Sequence, residues 1–287
     1  MGRKTFQIRE PISRPLAWVL GLIPPLLLLG LWWWVTRPRA FDAQGREVVE
    51  SRLLSPLVLP SPRETVAAFH SLWFERELSR SAVYSLQRVC GGYLIAVALA
   101  LPLGILMGSF TKIKALFNPL AVAGTYLPLP AVGVLMMAWA VALASLLGIE
   151  EAALELHKYI FLAVVTFVVL LPQVVLAIEK VEDIYLQTAY TQGAGRWHAV
   201  WKVLIPVALP DLYTALRTSF GVGWTYIILA EIIAANRGLG YLIQTAERRG
   251  PMEHIYLVVL TIMLIGFALD KLWGWGGRWL FPYRAER

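Results

Sequence analysis

Charge is scarce in these 287 residues. Asp, Glu, Lys and Arg together make up 16% of the chain, where a soluble domain carries about 25%, so too few are present to cover a globular surface in water. Cysteine is scarcer still. Cys90 is the only one, which excludes an intramolecular disulfide and a cysteine-built metal cluster. Beside Gly91 and Gly92 in an apolar run, it reads as a small packed side chain. The four histidines, His70, His157, His198 and His254, show no H-x-x-x-H or E-x-x-H spacing, so a metal site has little support. Apolar runs separate every serine, histidine and acid that might form a hydrolytic triad. A G-x-x-x-x-G-K-[ST] phosphate loop is also missing, so the chain is not expected to hydrolyse ATP by itself. The net charge of +7 forms no dense patch; its scattered basic residues suit anionic lipid headgroups better than nucleic acid.

What is abundant is apolar sequence, 58% of the chain, in recurring runs of roughly 20 residues, the length that crosses a bilayer core about 30 Å thick. The fold class expected is an all-α membrane protein with six spans, near 16–35, 86–108, 116–147, 158–178, 209–234 and 255–275. The basic start (Arg3, Lys4, Arg9, Arg14) before an apolar run superficially resembles a signal peptide. The run is long enough to span, however, and Trp32-Trp33-Trp34 stands where small residues would precede cleavage. A retained first helix with interfacial tryptophans is the better reading. Span three holds Pro128 and Pro130, whose rings break the helical ladder. Either the break lies inside the bundle or beside a cavity, where freed backbone groups find partners, or it is a simple kink. Ala100, Gly104 and Gly108 repeat at four-residue spacing, a pattern for close helix packing in lipid. In the 36–80 loop Val66, Phe69, Leu72 and Trp73 share a helical face, as in an interfacial amphipathic helix. The excess of Lys and Arg favours an inside N-terminus only mildly, because the 36–80 loop is also rich in arginine; charge alone leaves orientation open.

The stretch 179–206 departs from this apolar background. Glu179, Lys180, Glu182 and Asp183 close span four with charge. Gly193 has the character of a turn between two short helices, since glycine accepts positive φ without a Cβ clash. After it, Trp197, Val200, Trp201 and Leu204 fall at i, i+3, i+4 and i+7, and Pro206 closes the element. From periodicity alone this is an amphipathic helix–turn–helix at the membrane surface, and a plain interfacial anchor would look the same.

The spacing resembles the EAA loop of ABC importer permeases: Glu-Ala-Ala, three residues, Gly, nine residues, Ile, any residue, Leu-Pro. Ala189, Gly193 and Pro206 match, and Val203 and Ile205 are conservative replacements. Gln187 and Thr188 depart from the Glu-Ala pair, so a salt bridge through that carboxylate is not expected. Leu59-Pro60-Ser61-Pro62, Ser85-Leu86-Gln87-Arg88 with Gly91-Gly92-Tyr93, and Ala230-Glu231 through Asn236 to Gly238-Leu239-Gly240-Tyr241 are similar to the nitrate/sulfonate/taurine/bicarbonate branch. The resemblance covers roughly residues 55–283. It implies a permease subunit with an ATPase-coupling loop at 179–208, carried by Gln187, Thr188, Ala189, Gly193, Ala194, Arg196 and Pro206, with Trp197, Trp201 and Leu204 packing it onto the bundle. It also implies a cytoplasmic N-terminal tail and first helix (1–35), a periplasmic loop (36–80), a core bundle (81–275) and a cytoplasmic tail (276–287), all in a bacterial inner membrane. The partners implied are ABC ATPase subunits, which would bind ATP and Mg, a second identical or related permease, and a periplasmic binding protein. No cofactor is expected in this chain.

Met136, Met137 and Trp139 in span three are pathway or gate candidates, although such a stripe also suits a bundle core. Trp224 and Glu231 in span five are the others. An ionisable group within a span faces protein or a water-filled cavity. Glu231, near the outer end of span five, reads equally as an interfacial carboxylate or as a pathway or packing residue, and a structural partner such as Arg237 or Asn236 is favoured over direct solute contact. Two rival classes are a secondary transporter, which should show two similar halves with paired broken helices, and a lipid-modifying membrane enzyme, which needs polar residues clustered at one depth. Neither signature is found in the sequence.

Overall fold

The computed structural model describes residues 12–38, 52–234, 236–249 and 252–283. Arg3, Lys4 and Arg9, the loop charges from Arg39 to Glu50, and Arg284 and Arg287 lie outside them. Among the described residues every regular element is helical. Six helical stretches are long and apolar enough to cross a membrane: Pro15–Thr36, Leu78–Ser109, Leu129–Leu147, Glu150–Glu179, Arg196–Ile233 and Met252–Leu280.

Helix α1 (Arg14–Thr36) stands apart, with none of its apolar window buried. Among the described residues its ties lie at its C-terminal end, where Trp32 Nε1 donates to Pro60 O at 2.8 Å and the indole stacks on Tyr256. A short helix α2 (Pro62–Ala67) follows, opened by a capping box in which Ser61 Oγ accepts from Glu64 N and Glu64 accepts from Ser61 N. That pairing satisfies two backbone donors at the helix start. A wide turn at Ser71–Glu75 then leads into α3. Of the face expected here, Leu72 is buried together with Thr65 and Ala68, while Val66, Phe69 and Trp73 are exposed on this chain. The α-helix ends at Ala67 and helical backbone resumes into the wide turn at Ser71–Glu75, which turns Leu72 inward.

The core is a three-helix stack of α3 (Leu78–Ser109), α6 (Ala153–Glu179) and α9 (Ile205–Ala234). α3 and α6 approach closely because small residues line the seam. A Cβ at Gly104 would lie 2.6 Å from Val174 Cγ1, and one at Gly108 2.7 Å from Ile178 Cβ; Ala100 is fully buried. In lipid such packing replaces the hydrophobic drive.

The third predicted span is corrected into two helices, α4 (Thr111–Thr125) and α5 (Leu129–Leu147). The chain breaks outright between them, so it is no simple kink, and the break lies on the surface of this chain: Tyr126 is 83% exposed. Pro128 and Pro130 sit at the start of α5, where a missing N–H leaves no bond unmade. The fold closes with α10 (Leu239–Arg249) and α11 (Met252–Leu280), the latter packing along α9.

Candidate functional site

The turn at Gly193 joins α7 (Asp183–Thr191) to α8 (Arg196–Ala199). Gly193 has φ +81°. Its N–H donates to Tyr190 O at 2.9 Å, and Ala194 N donates to Ala189 O at 3.0 Å. This pair of bonds is the Schellman helix ending, in which a left-handed residue, usually glycine, satisfies the last carbonyls. Nothing lies within 4 Å of a Cβ built on Gly193, so the backbone conformation, not space, calls for glycine here. Gln187, Thr188 and Arg196 are exposed, and Ala189 and Ala194 are half-buried. Thr188 Oγ1 donates to Ile184 O at 2.7 Å, so its hydroxyl serves its own helix. Ile184, Tyr185 and Tyr190 are also at least about half exposed, giving α7 an open face with apolar character.

Two expectations about the second half of this element are corrected. Pro206 does not close it: a wide π-type turn at Val200–Leu204 runs straight into α9. A π-turn relaxes the ladder locally, and Pro206, which has no N–H, sits in the first turn that follows. The packing assigned to Trp197 and Trp201 falls instead on Ala199 and Val200, with Leu204 buried as anticipated. The tryptophans are 59% and 63% exposed. They flank the buried stripe and line an apolar groove of about 690 Å³ together with Leu101, Ile105 and Leu209. Trp197 also meets Phe110 edge-on at 5.4 Å. The loop is therefore seated on the bundle through Val200 and Leu204, with Leu186 of α7 packed beside them, while the Gly193 turn and the Ile184, Tyr185 and Tyr190 face stay open.

At the opposite end of the bundle Glu231 is fully buried, and the expected partner is corrected. Its carboxylate accepts from Ser85 Oγ at 2.8 Å, Arg88 Nη1 at 2.7 Å and Gly240 N at 2.8 Å. Neither the Arg237 nor the Asn236 side chain reaches it in this set. Arg237 takes part through its carbonyl, which accepts from Arg88 Nη1 at 2.7 Å. Arg88 also makes a two-pronged pair with Glu155, at 2.9 and 2.8 Å, and Glu155 accepts from Lys158 Nζ at 2.7 Å. Two cations thus face two carboxylates, and the cluster is neutral. Gly238, at φ +115°, curls its turn around Glu231; any Cβ there would collide with the carboxylate. Leu239 N donates to Ser85 Oγ at 2.9 Å. The cluster therefore clamps the start of α10 to α3 and α9. A polar cavity of about 430 Å³, with Tyr84, Tyr159 and Arg237 in its wall, opens beside Arg88 and Glu155.

The remaining pathway candidates are not brought together. Met136 is 2% exposed and Trp224 5%, and both belong to the buried core; Trp224 Nε1 donates to Ile262 O at 3.1 Å. Met137 is half-buried, and Trp139 is 63% exposed on the open face of α5. Sequence reasoning missed Glu155 and Lys158 because they sit at the start of an apolar run. Arg88 was visible only as part of a recurring motif.

Three comparisons bear on this geometry. The chain is 27% identical over 269 residues to a taurine transport system permease of Escherichia coli K12, covering 91% of this chain and 88% of the relative. It is 28% identical over 286 residues to a bicarbonate transport system permease of Synechococcus elongatus, covering 97% and 92%, and 24% identical over 264 residues to a putative aliphatic sulfonates transport permease of Bacillus subtilis 168, covering 92% and 87%. Its fold matches a chain of the inward-facing methionine ABC transporter MetNI with a TM-score of 0.56 at 19% identity, covering 71% of this chain and 96% of that one. The family described as the binding-protein-dependent transport system inner membrane component matches residues 100–280, more than half of the sequence. With six apolar spans and this match, the chain belongs to the inner-membrane permease components of binding-protein-dependent transport systems.

Proposed function

We propose that this chain forms half of the passage of an ATP-driven importer for a small oxyanion, such as a sulfonate, taurine, nitrate or bicarbonate. The observation that carries the reading is the Gly193 turn, a helix pair seated on the bundle whose Ile184, Tyr185, Tyr190 and Arg196 side chains are exposed. Such a knob fits a cleft in a separate ATPase subunit, which would hold the ATP and magnesium. A second permease copy, identical or related, would complete the passage, and a periplasmic binding protein would deliver solute at the Glu231 end. The N-terminus and the Gly193 turn then face the cytoplasm of a bacterial inner membrane. The coupling is mechanical: contacts that differ between two states of the partner bias the two states of this chain. The relatives' named solutes support the oxyanion class.

The test is co-purification in mild detergent followed by uptake in proteoliposomes. A stoichiometric ATPase subunit is expected, lost when Tyr185 and Tyr190 are both changed to aspartate. Purification of an active transporter without any ATPase subunit overturns the proposal.

A further inference from the structure

The open faces of the long helices differ in chemistry. α3, α5 and α11 expose large apolar side chains such as Leu99, Leu135 and Phe267, a surface that hydrocarbon solvates. On α9 no large apolar side chain is exposed between Pro210 and Ile233 among the described residues. The open positions there are Thr214, Thr218, Gly221 and Thr225, at i, i+4, i+7 and i+11, one face of the helix.

Arg217 borders that face. Its guanidinium donates through Nε and Nη2 to the two carboxylate oxygens of Asp270 on α11, each at 2.8 Å. Arg217 lies twelve residues past Ile205 and sixteen before Ile233, or about 18 and 24 Å along the axis, which places the pair at bilayer depth. Ionised groups at that depth need protein or water around them. The Arg88–Glu231 pair meets this need by being sealed, at 4% and 0% exposure. Arg217 and Asp270 are 39% and 54% exposed. Cavities of about 460 and 220 Å³ flank them along the α9/α11 seam, one with Tyr213 and Arg278 in its wall, the other with Trp224 and Thr225. The charges lining these cavities are Arg217, Arg278 and Asp270, an excess of positive charge.

We propose that the α9/α11 seam is this chain's wall of the solute passage, and that Arg217 is its anion-binding residue, exchanging the Asp270 carboxylate for the solute's oxyanion. A guanidinium fork matches two oxygens of a sulfonate, carboxylate or bicarbonate as it matches those of aspartate. The exchange keeps the charge-assisted hydrogen bonds on Arg217 filled in both states, so the anion is neither refused nor trapped. The threonines suit such a wall. Thr214, Thr218 and Thr225 donate their hydroxyls to carbonyls of their own helix at 2.9, 2.9 and 3.0 Å, which leaves a wettable surface without outward donors to hold the solute elsewhere. The direction of transport rests on the importer function proposed above; the polarity of the seam does not.

The probes are two small thiol reagents of opposite charge, 2-sulfonatoethyl and 2-(trimethylammonio)ethyl methanethiosulfonate. They are applied to the full chain with its partner subunits in proteoliposomes, in a Cys90→Ala background carrying Gly221→Cys. Position 221 is one turn from Arg217, and an added Cβ there meets nothing within 4 Å. Both reagents should react, the sulfonate roughly fivefold faster than with free thiol as reference, as expected for a unit charge about one turn away in partly screened water. Arg217→Gln should abolish the preference, and Arg217→Lys should keep it while reducing uptake of labelled taurine, ethanesulfonate or bicarbonate, because the charge remains and the fork is lost. Reaction of Gly221→Cys with neither charged reagent overturns the passage assignment. Equal rates for both reagents overturn the role of Arg217. If the charge preference is found but the unmodified complex imports none of the three solutes, the seam stands and the oxyanion-importer reading fails.

Discussion

Glu231→Ala removes the keystone of the far-end cluster, and its cost follows from the contacts. Arg88 is 4% exposed and loses one of its two carboxylates. Breaking a buried pair by removing one partner costs about 3–5 kcal/mol; Arg88 keeps Glu155 and the Arg237 carbonyl, which places the loss near the lower end. Gly240 N also loses its acceptor, and an orphaned buried donor adds about 1 kcal/mol or more. The sum is about 4 kcal/mol, or a midpoint lowered by roughly 8–16 °C for a chain of this size. Glu231→Gln, which keeps an acceptor oxygen, should lose about half of that. The combined change Arg88→Met with Glu231→Leu should be milder than the sum of the two single changes, because neither charge is then left stranded. The assay is thermal unfolding of the purified protein in detergent by intrinsic tryptophan fluorescence, at one scan rate because such unfolding is often irreversible. A Glu231→Ala melt that superimposes on that of the unmodified chain refutes the keystone role, and strictly additive losses refute the pairing.

Gly193→Val should leave the fold intact but strain the turn by about 1–2 kcal/mol through its left-handed backbone; uptake should fall severalfold at normal expression, and normal uptake would count against the coupling assignment. Gly104→Val drives a branched side chain into Val174, whose Cγ1 lies only 2.6 Å from where the first added carbon would stand, and overpacking of this kind costs about 1–3 kcal/mol; loss of midpoint in the same thermal assay checks it, and Gly21→Val, with nothing within 4 Å, is the neutral control. Acid should loosen the segment before α3. The Arg52 guanidinium holds the Glu64 carboxyl below its ordinary value, so its contribution is present above the unfolded value of about 4.3 and is lost as pH falls through the depressed folded one. Hydrogen exchange of the Ser61–Glu64 capping box between pH 6 and 3 should show this, and Glu64→Gln should flatten the profile.

The six spans were legible because bilayer depth imposes a length that simple counting detects. So was the Gly193 turn, whose spacing to Pro206 and left-handed backbone are one requirement seen twice. The capping box was legible in principle, since Ser61 and Glu64 stand at the required three-residue interval before an apolar stretch. The burial of Val200 and Ala199 in place of Trp197 and Trp201 was not. Periodicity puts Trp197, Val200 and Trp201 near one face and Ala199 on the other, and the wide turn at Val200–Leu204 shifts which of these sides meets the bundle. The ionic cluster was hidden for a related reason: Ser85, Arg88, Glu155, Lys158 and Glu231 come from three helices, and no local pattern announces that they meet. The break at Tyr126 was visible as two prolines, but whether it is buried depends on neighbours outside this chain.

One helix links the three polar features. From Arg196 through the wide turn into α9 the chain is helical to Ala234, so the seat of the Gly193 loop, Arg217 and Glu231 lie on one helical stretch. The backbone ladder is relaxed at the wide turn and lacks a donor at Pro206 and Pro210, so under the coupling proposed above a displacement at the Gly193 end would bend this start and reach the rest of α9 as a tilt or shift. The far end is clamped through Arg88, Ser85 and Gly240. If the near end is driven as proposed while the far end is held, the displacement would act on the intervening face, where Arg217 reaches across to Asp270 on a different helix. That contact spans the α9/α11 seam and is the charged link most exposed to such a tilt. A buried Arg88–Glu231 pair at the held end and an open Arg217–Asp270 pair between the two ends are what the proposed coupling would need in order to change the partner of one arginine without unfolding its own pivot.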